Sequence, residues 1–374
     1  MLHLLAGAIL LAFSLLAVLP PQHNVLWILS IPAKEWGWVF TLLCLPVLWP
    51  WGAPTLAYAV GAAMGLTAAV LYLIPLLQGV QAARRLPSAL GAPFSDPARP
   101  GDRTAPFTWQ HLFFGVPAPA TPVTTVTYAT HAGVELKMDL TRPATGDPTP
   151  VVLVIHGGAW RSGDRKQLPR LNRYLTARGF ATAAINYRLA PAHRFPAALE
   201  DVTAAVAYLK THAGEHGIDP SRIVLLGRSA GGHLAVVAAF TLRDPVIRGA
   251  VSFYGPFGLE WGWDKDCKVL DVKTVMGDFL GGGPRDVPEA YRAASPYRLI
   301  HPDTPPVLMI QGEADVMVPP AHCDHLIEHL TPAGRPFHVV RVPQATHASD
   351  VNFSGPFGQI ATWATERFLR EVTR

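Results

Sequence analysis

Charge is what this chain has least of where it begins. Only 16% of its 374 residues are Asp, Glu, Lys or Arg, and from Met1 to Val80 the sole formal charges are the adjacent Lys34 and Glu35. So apolar a stretch must be covered by protein or by lipid. Cysteine is scarce too. Cys44, Cys267 and Cys323 are too few and too scattered for a disulfide framework or a zinc site, so reduced thiols are expected. No lysine–arginine run or basic helix is present, and the net charge of +4 is modest, which gives no sign of a nucleic-acid partner. Internal repeats and low-complexity tracts are absent as well. What the chain has in plenty is apolar weight: hydrophobic residues make up 49%, and the mean hydropathy is +0.22, high for a wholly soluble protein.

That weight is concentrated at the start. Leu2 to Leu19 is uncharged and just long enough to span a bilayer, and Pro54 to Val80 is a second strong span. A shorter run, Val39 to Leu48, lies between Trp36 and Trp38 on one side and Trp49 and Trp51 on the other, the placing of an aromatic belt. No lysine or arginine precedes the first run and Pro20-Pro21 follows it, so a retained helix is expected rather than a cleaved signal. Residues 1–85 therefore read as a multi-pass helical transmembrane region of about three spans. Arg84 and Arg85 follow the last span directly, with Arg99 and Arg103 a little beyond, so the remainder of the chain is expected in the cytoplasm. Residues 86–122, rich in Pro, Ala and Gly, read as a linker. Within it, the aromatic segment Phe107–Val116 suits a membrane surface, the cover of a pocket, or packing on the next domain.

From residue 123 to 374 the pattern changes to alternating strands and helices. VTTVTYAT and VELKMDL alternate as an edge hairpin, while VVLVIHGG, Val151 to Gly158, is the continuous β-branched run of a strand buried on both faces. Further strands at Ala181–Ile185, Ile223–Leu226, AVSFYG, PPVLMIQG and FHVVRV, with helices between them, imply a mostly parallel central sheet in an α/β fold. Ligands of such sheets bind at the carboxyl ends of the strands.

One of those ends carries GRSAGGHLA. Glycines two positions either side of Ser229 suit a serine on a very sharp strand-to-helix turn, its hydroxyl forced into the open. A serine hydroxyl needs a base, and the base an acid to orient it. Asp315 stands just past a later strand, and His347 in the loop before the last helix, giving the chain order Ser, Asp, His. HGGAW, at the end of the Val151 strand, is placed to bind an oxyanion through backbone N–H groups, with the residue after the serine, Ala230, supplying another.

These motifs, with NYRLAPAHRFPAALEDV, GEADVMVP and ATHASD, resemble the hormone-sensitive-lipase and feruloyl-esterase-like branch of the α/β-hydrolases over residues from about 120 onward. The resemblance implies an α/β-hydrolase fold and acylation of Ser229 by an ester. It further implies an oxyanion site of Gly157, Gly158, Ala159 and Ala230, and no cofactor or metal. Many relatives have HGGG where this chain has HGGAW, and kynurenine formamidases share the HGG-x-W form. The expected function is thus a membrane-anchored serine carboxylesterase or lipase acting on short to medium acyl esters through an acyl-enzyme. A formamidase-like amidase and a non-catalytic membrane scaffold are the alternatives, and the oligomeric state is not readable.

Other residues are expected to be structural. His156 should hold its loop and His233 should pack. Asp350 competes with Asp315 as the acid but lies in the histidine's own loop. Glu200 and Asp201 read as solvated or salt-bridged helix positions, and His322, His325 and His329 have helical spacing but no further metal ligands. The long segment Gly255–Pro305 reads as a lid over the pocket.

Overall fold

The computed structural model describes residues 1–50, 55–91, 94, 102–131, 133–144 and 146–374. Trp51, Pro54 and Arg99, used above for the belt, a span and the orientation, lie outside them.

Among the described residues, eight strands form one sheet in the order β1-β2-β4-β3-β5-β6-β7-β8. They are β1 (Thr124–His131), β2 (Val134–Thr141), β3 (Thr149–Ile155), β4 (Ala181–Ile185), β5 (Ile218–Arg228), β6 (Ile247–Phe253), β7 (Val307–Gly312) and β8 (Phe337–Val342). The β1–β2 hairpin and the β2–β4 pair are antiparallel, and every other pair is parallel. Side chains of each strand alternate between two cores. Val151, Leu153 and Ile155 of β3 face the helices Ala197–Thr211, Ala230–Leu242 and Ala321–Leu330, whereas Val152 and Val154 face Arg170–Thr176 and Pro356–Val372. Helices on both faces explain why β3 can be apolar from Val151 to Ile155.

The N-terminal part is a separate helical layer: α1 (Leu2–Ser14), α2 (Asn24–Glu35), α3 (Gly37–Leu48) and α4 (Leu56–Leu90). Small residues set how closely it packs. A Cβ at Gly7 would collide with the carbonyl of Gly61, and a Cβ at Gly37 with that of Tyr72, so α1 and α3 lie in backbone contact with α4. Because Gly37 faces Tyr72 while Val47 faces Gly65, α3 runs antiparallel to α4. The α2–α3 pair is bent by 82° at Trp36, which sets α2 across that bundle. Only α4 is, taken singly, long and apolar enough to cross a membrane among the described residues, and the bent α2–α3 pair passes the same test only as a unit. The expectation of three spans is thus not met as straight helices: α1 and α3 are shorter, and Asn24–Glu35 is a helix that the sequence reading did not foresee.

The expected boundary at residue 85 also moves. Helix α4 continues through it to Leu90 despite Pro75 and Pro87, because Ala83 and Leu86 are buried in the core of the sheet domain. A Cβ at Gly79 would lie 2.6 Å from the Pro356 ring, so this half of α4 is docked against the last helix. Nor is 102–122 a free spacer. Arg103 is buried and donates to Gln359 O at 2.8 Å and Thr362 Oγ1 at 2.9 Å, and Thr108 N and Val116 N donate to Gln359 Oε1 and Ser354 Oγ. The helix α5 (Trp109–Phe114) buries Leu112 against Leu76 and Val80 of α4 and leaves Trp109, Phe113 and Phe114 exposed. Phe107–Val116 therefore packs at the seam and does not cover the pocket.

Candidate active site

Strand β5 ends at Arg228, and the next helix begins at Ala230, leaving Ser229 alone to make the turn. It does so at φ 52°, ψ −121°, a conformation costly for any residue with a Cβ. The flanking glycines are obligatory. A Cβ at Gly227 would collide with the backbone of Gly231, and one at Gly231 with the carbonyls of Ile155 and His156.

The serine, aspartate and histidine from three distant parts of the chain come together here. Ser229 Oγ lies 3.0 Å from His347 Nε2, and His347 Nδ1 lies 2.8 Å from Asp315 Oδ2. Asp315 is fixed by its own turn past β7: its Oδ1 accepts from Met317 N and Val318 N, each at 2.9 Å. With that acceptor on Nδ1, the imidazole keeps its proton there and offers Nε2 to the serine. The Tyr254 ring backs the imidazole at 4.5 Å between centroids, and its hydroxyl donates to Asp350. Asp350 in turn pairs with buried Arg228 at 2.5 Å. Burial, then the Asp350 carboxylate, pushes the Tyr254 phenol well above its ordinary range. Asp350 is thereby committed to a cation and a phenol, and does not face the imidazole as the acid.

The HGGAW loop divides its N–H groups. Gly157 N donates to Gln167 Oε1 at 2.8 Å, so this member of the expected oxyanion set is already engaged. Gly158, Ala159 and Ala230 have N–H groups with no acceptor among the described residues. Gly158, with φ 124°, and Ala159, with φ 53°, turn their backbone in a way that suits glycine, which accounts for HGGG at this position in relatives. Trp160 follows at φ 57° and stacks on Phe279 of the lid segment at 4.4 Å, edge-on to His233.

The pocket above the serine is a cavity of about 370 Å³. Its walls include Trp160, Val275, Met276, Met317, Val318 and His322, with Lys265, Asp266 and Cys267 from the segment Gly255–Pro305, which does cover the site. One wall residue comes from the N-terminal layer: Trp27 of α2, whose ring centroid is 6.4 Å from that of His347. No sequence signal marked it, and none marked Gln167 or the Arg228–Asp350–Tyr254 network.

The remaining candidates fall outside the chemistry. His156 bonds Gly157 O through Nδ1 at 2.8 Å and stacks on Tyr187. His233 is fully buried with Nε2 on Ala294 O at 2.6 Å, and burial pushes it down to about 4. Asp201 is buried and pairs with Arg188 and His131, while exposed Glu200 pairs with Arg188. His322 lines the pocket, and burial lowers it to about 3, whereas His325 stacks on Trp261. The three cysteines are unpaired.

Sheet order and serine turn are those of the esterase α/β-hydrolases, and solved structures agree. A Thermogutta terrifontis esterase matches with a TM-score of 0.55 and 25% identity, over 68% of this chain and 93% of its own. A Pyrobaculum calidifontis esterase matches with a TM-score of 0.58 and 25% identity, over 68% and 86%. More narrowly, the BD-FAE family profile covers residues 138–330, over half of the sequence, and the chain belongs to that family. Among curated relatives, the probable carboxylic ester hydrolase LipM of Mycobacterium tuberculosis is 31% identical over 258 residues, 65% of this chain and 58% of that protein. Esterase LipC of the same organism is 31% identical over 241 residues, 61% of this chain and 59% of its own length. The chain thus spans rather more than half the length of these relatives.

Proposed function

We propose that the protein is a membrane-anchored serine carboxylesterase. Ser229 attacks the ester carbonyl as His347 takes its proton, and Asp315 holds the imidazole and stabilises its charged form. The tetrahedral oxygen is received by the N–H groups of Gly158, Ala159 and Ala230, each such donor contributing about 2.7–4 kcal/mol to the transition state. Protonation of the leaving alkoxide by His347 frees the alcohol. Water activated by the same imidazole then releases the acid. The observation that carries this reading is the unbroken hydrogen-bonded line Asp315–His347–Ser229 ending at a strained, exposed hydroxyl. A solved Thermogutta terrifontis relative phosphonylated by sarin supports it, since an organophosphonate of that kind reports an activated nucleophile.

Residues 1–90 supply the anchor in this reading. The stretch 56–74 of α4 is about 28 Å long at 1.5 Å per residue, close to the roughly 30 Å of a hydrocarbon core. Exposed Arg84 and Arg85, on the docked half of the helix, favour the cytoplasmic side for the sheet domain.

Hydrolysis of p-nitrophenyl acetate and butyrate, with N-formylkynurenine alongside, tests the assignment in the full chain and its Ser229→Ala form. Ester turnover should fall by about 10⁶ in the variant, the usual cost of losing a serine nucleophile. Turnover of the formamide alone would instead assign an amidase, and ester turnover that survives the substitution would remove Ser229 from the mechanism.

A further inference from the structure

Helix α2 carries two faces of different fate. Trp27, Ser30 and Lys34, at helical spacing, turn inward: Trp27 lines the pocket, Ser30 is buried, and Lys34 donates to Ala17 O and reaches Gln344 Oε1. Val25, Ile28 and Leu29 turn outward and are exposed. The helix is also clasped to the loop that bears His347, because Asn352 Nδ2 donates to Glu35 O at 2.9 Å.

Its height along the bundle is fixed by its neighbours. Gly37, at the start of α3, faces Tyr72, and Lys34 and Glu35 share a crevice with Pro75, Gln344 and Pro356. Helix α2 thus lies at the level where the lipid-length part of α4 ends and its docked part begins, bent by 82° from α3. The helix α5 is at the same level, on Leu76 and Val80, with Phe114 86% exposed. Val351, four residues beyond His347, is 44% exposed, and beyond Val123 it is the only large hydrophobic so exposed among the described residues. Outward aromatics and aliphatics gathered at one level describe a bilayer surface.

We propose that α2 lies in that surface and forms the doorway of the site, so that the substrate is an ester amphiphile resident in the bilayer. This inference rests on the esterase reading above. The amphiphile's apolar chain stays against Val25, Ile28 and Leu29 while its ester passes Trp27 to reach Ser229. The indole N–H of Trp27, shielded from water and without an acceptor among the described residues, is then free to receive a polar oxygen of the entering molecule. Trp27 is accordingly a specificity-determining residue.

The full chain in phosphatidylcholine vesicles tests this with two esters that share a leaving group. One is p-nitrophenyl palmitate dissolved in the bilayer; the other is p-nitrophenyl acetate in water. Palmitate turnover should follow the mole fraction of ester in the lipid and fall when inert lipid is added at constant bulk ester, with acetate turnover unmoved. The Ile28→Gln/Leu29→Gln variant should keep acetate turnover, which reports an intact fold, and lose palmitate turnover by about tenfold or more, since polar side chains forfeit lipid contact. Trp27→Ala should raise KM for palmitate more than it lowers kcat. Palmitate turnover set by bulk concentration, or acetate turnover with none of palmitate, overturns the doorway and leaves the esterase standing. Absence of Ser229-dependent turnover of either ester overturns both.

Discussion

The helical layer and the sheet domain are both rich in apolar residues, and they dispose of them in opposite ways. Leu2, Leu5, Ile9, Leu42, Leu43 and Leu66 of the layer point outward, while β3, β7 and residues 223–228 of β5 bury nearly every side chain between two layers of helices. Hydrophobic content alone therefore does not separate the two regions. What does is whether the chain supplies a second layer to cover each apolar face. Among the described residues, the helices of the layer leave these apolar faces uncovered, and lipid is the cover that the proposed anchoring would supply. Where the regions meet, at Gly79 on Pro356 and Glu35 on Asn352, the seam runs beside the histidine loop. Chemistry from one region thus acquires a wall from the other.

If the sheet domain is stable because each buried group is satisfied, removing one partner there should cost more than any exposed change in the layer. Arg228→Met leaves Asp350 buried without its cation, and breaking a buried pair in this way costs about 3–5 kcal/mol. A fall in denaturation midpoint of that order, against no change for Leu66→Ala, would sharpen the contrast, and equal effects would break it. Acid should single out the same domain. His233, held near 4 in the fold, binds a proton more readily when unfolded, so its share of stability is complete above about 6.5 and is lost as pH falls toward 4. At about 1.4 kcal/mol per unit the loss is roughly 3 kcal/mol. Unfolding free energies measured from pH 7 to pH 4 should show it beside a loss of the same sign from His322, and His233→Gln should make that limb shallower.

Legibility followed the same division. Ser229, Asp315 and His347 could be read from the sequence because each follows a strand, and strand ends in a parallel sheet converge on one edge. The HGG loop was legible for the same reason, but the loss of Gly157 from its free donors was not. That depends on Gln167, ten residues away in an irregular loop, turning back onto it. Asp350 was close enough to His347 to compete as the acid, and only the buried Arg228 shows where its charge is spent. In the layer, composition raised the expectation of a membrane region but not its geometry. Nothing local in NVLWILSIPAKE says that it bends away from α3 and lays one tryptophan against a distant histidine. The length of α4 was hidden by Pro75 and Pro87, whose lost hydrogen bonds are tolerated where Leu76, Val80 and Leu86 are packed.

The smallest test is the most direct, because it makes one substitution in both regions. Gly61 and Gly231 each sit where a Cβ would strike backbone, the former on His3 and the latter on Ile155 and His156. Neither neighbour can yield like a side chain, so Gly61→Ala and Gly231→Ala should each cost about 1–3 kcal/mol of stability. Their effects on acetate turnover should part. Parting α1 from α4 disturbs nothing that touches Ser229, whereas pushing the serine turn away from the loop of Gly158 and Ala159 separates Ser229 from two of the N–H groups proposed to receive the oxyanion. A displacement near 1 Å there costs about 10² in rate. Thermal midpoints that fall together while kcat falls only in Gly231→Ala would establish that the layer supports the site without belonging to its chemistry. A matching loss of kcat in Gly61→Ala would mean that packing in the layer reaches the serine through α2, and that the two regions work as one.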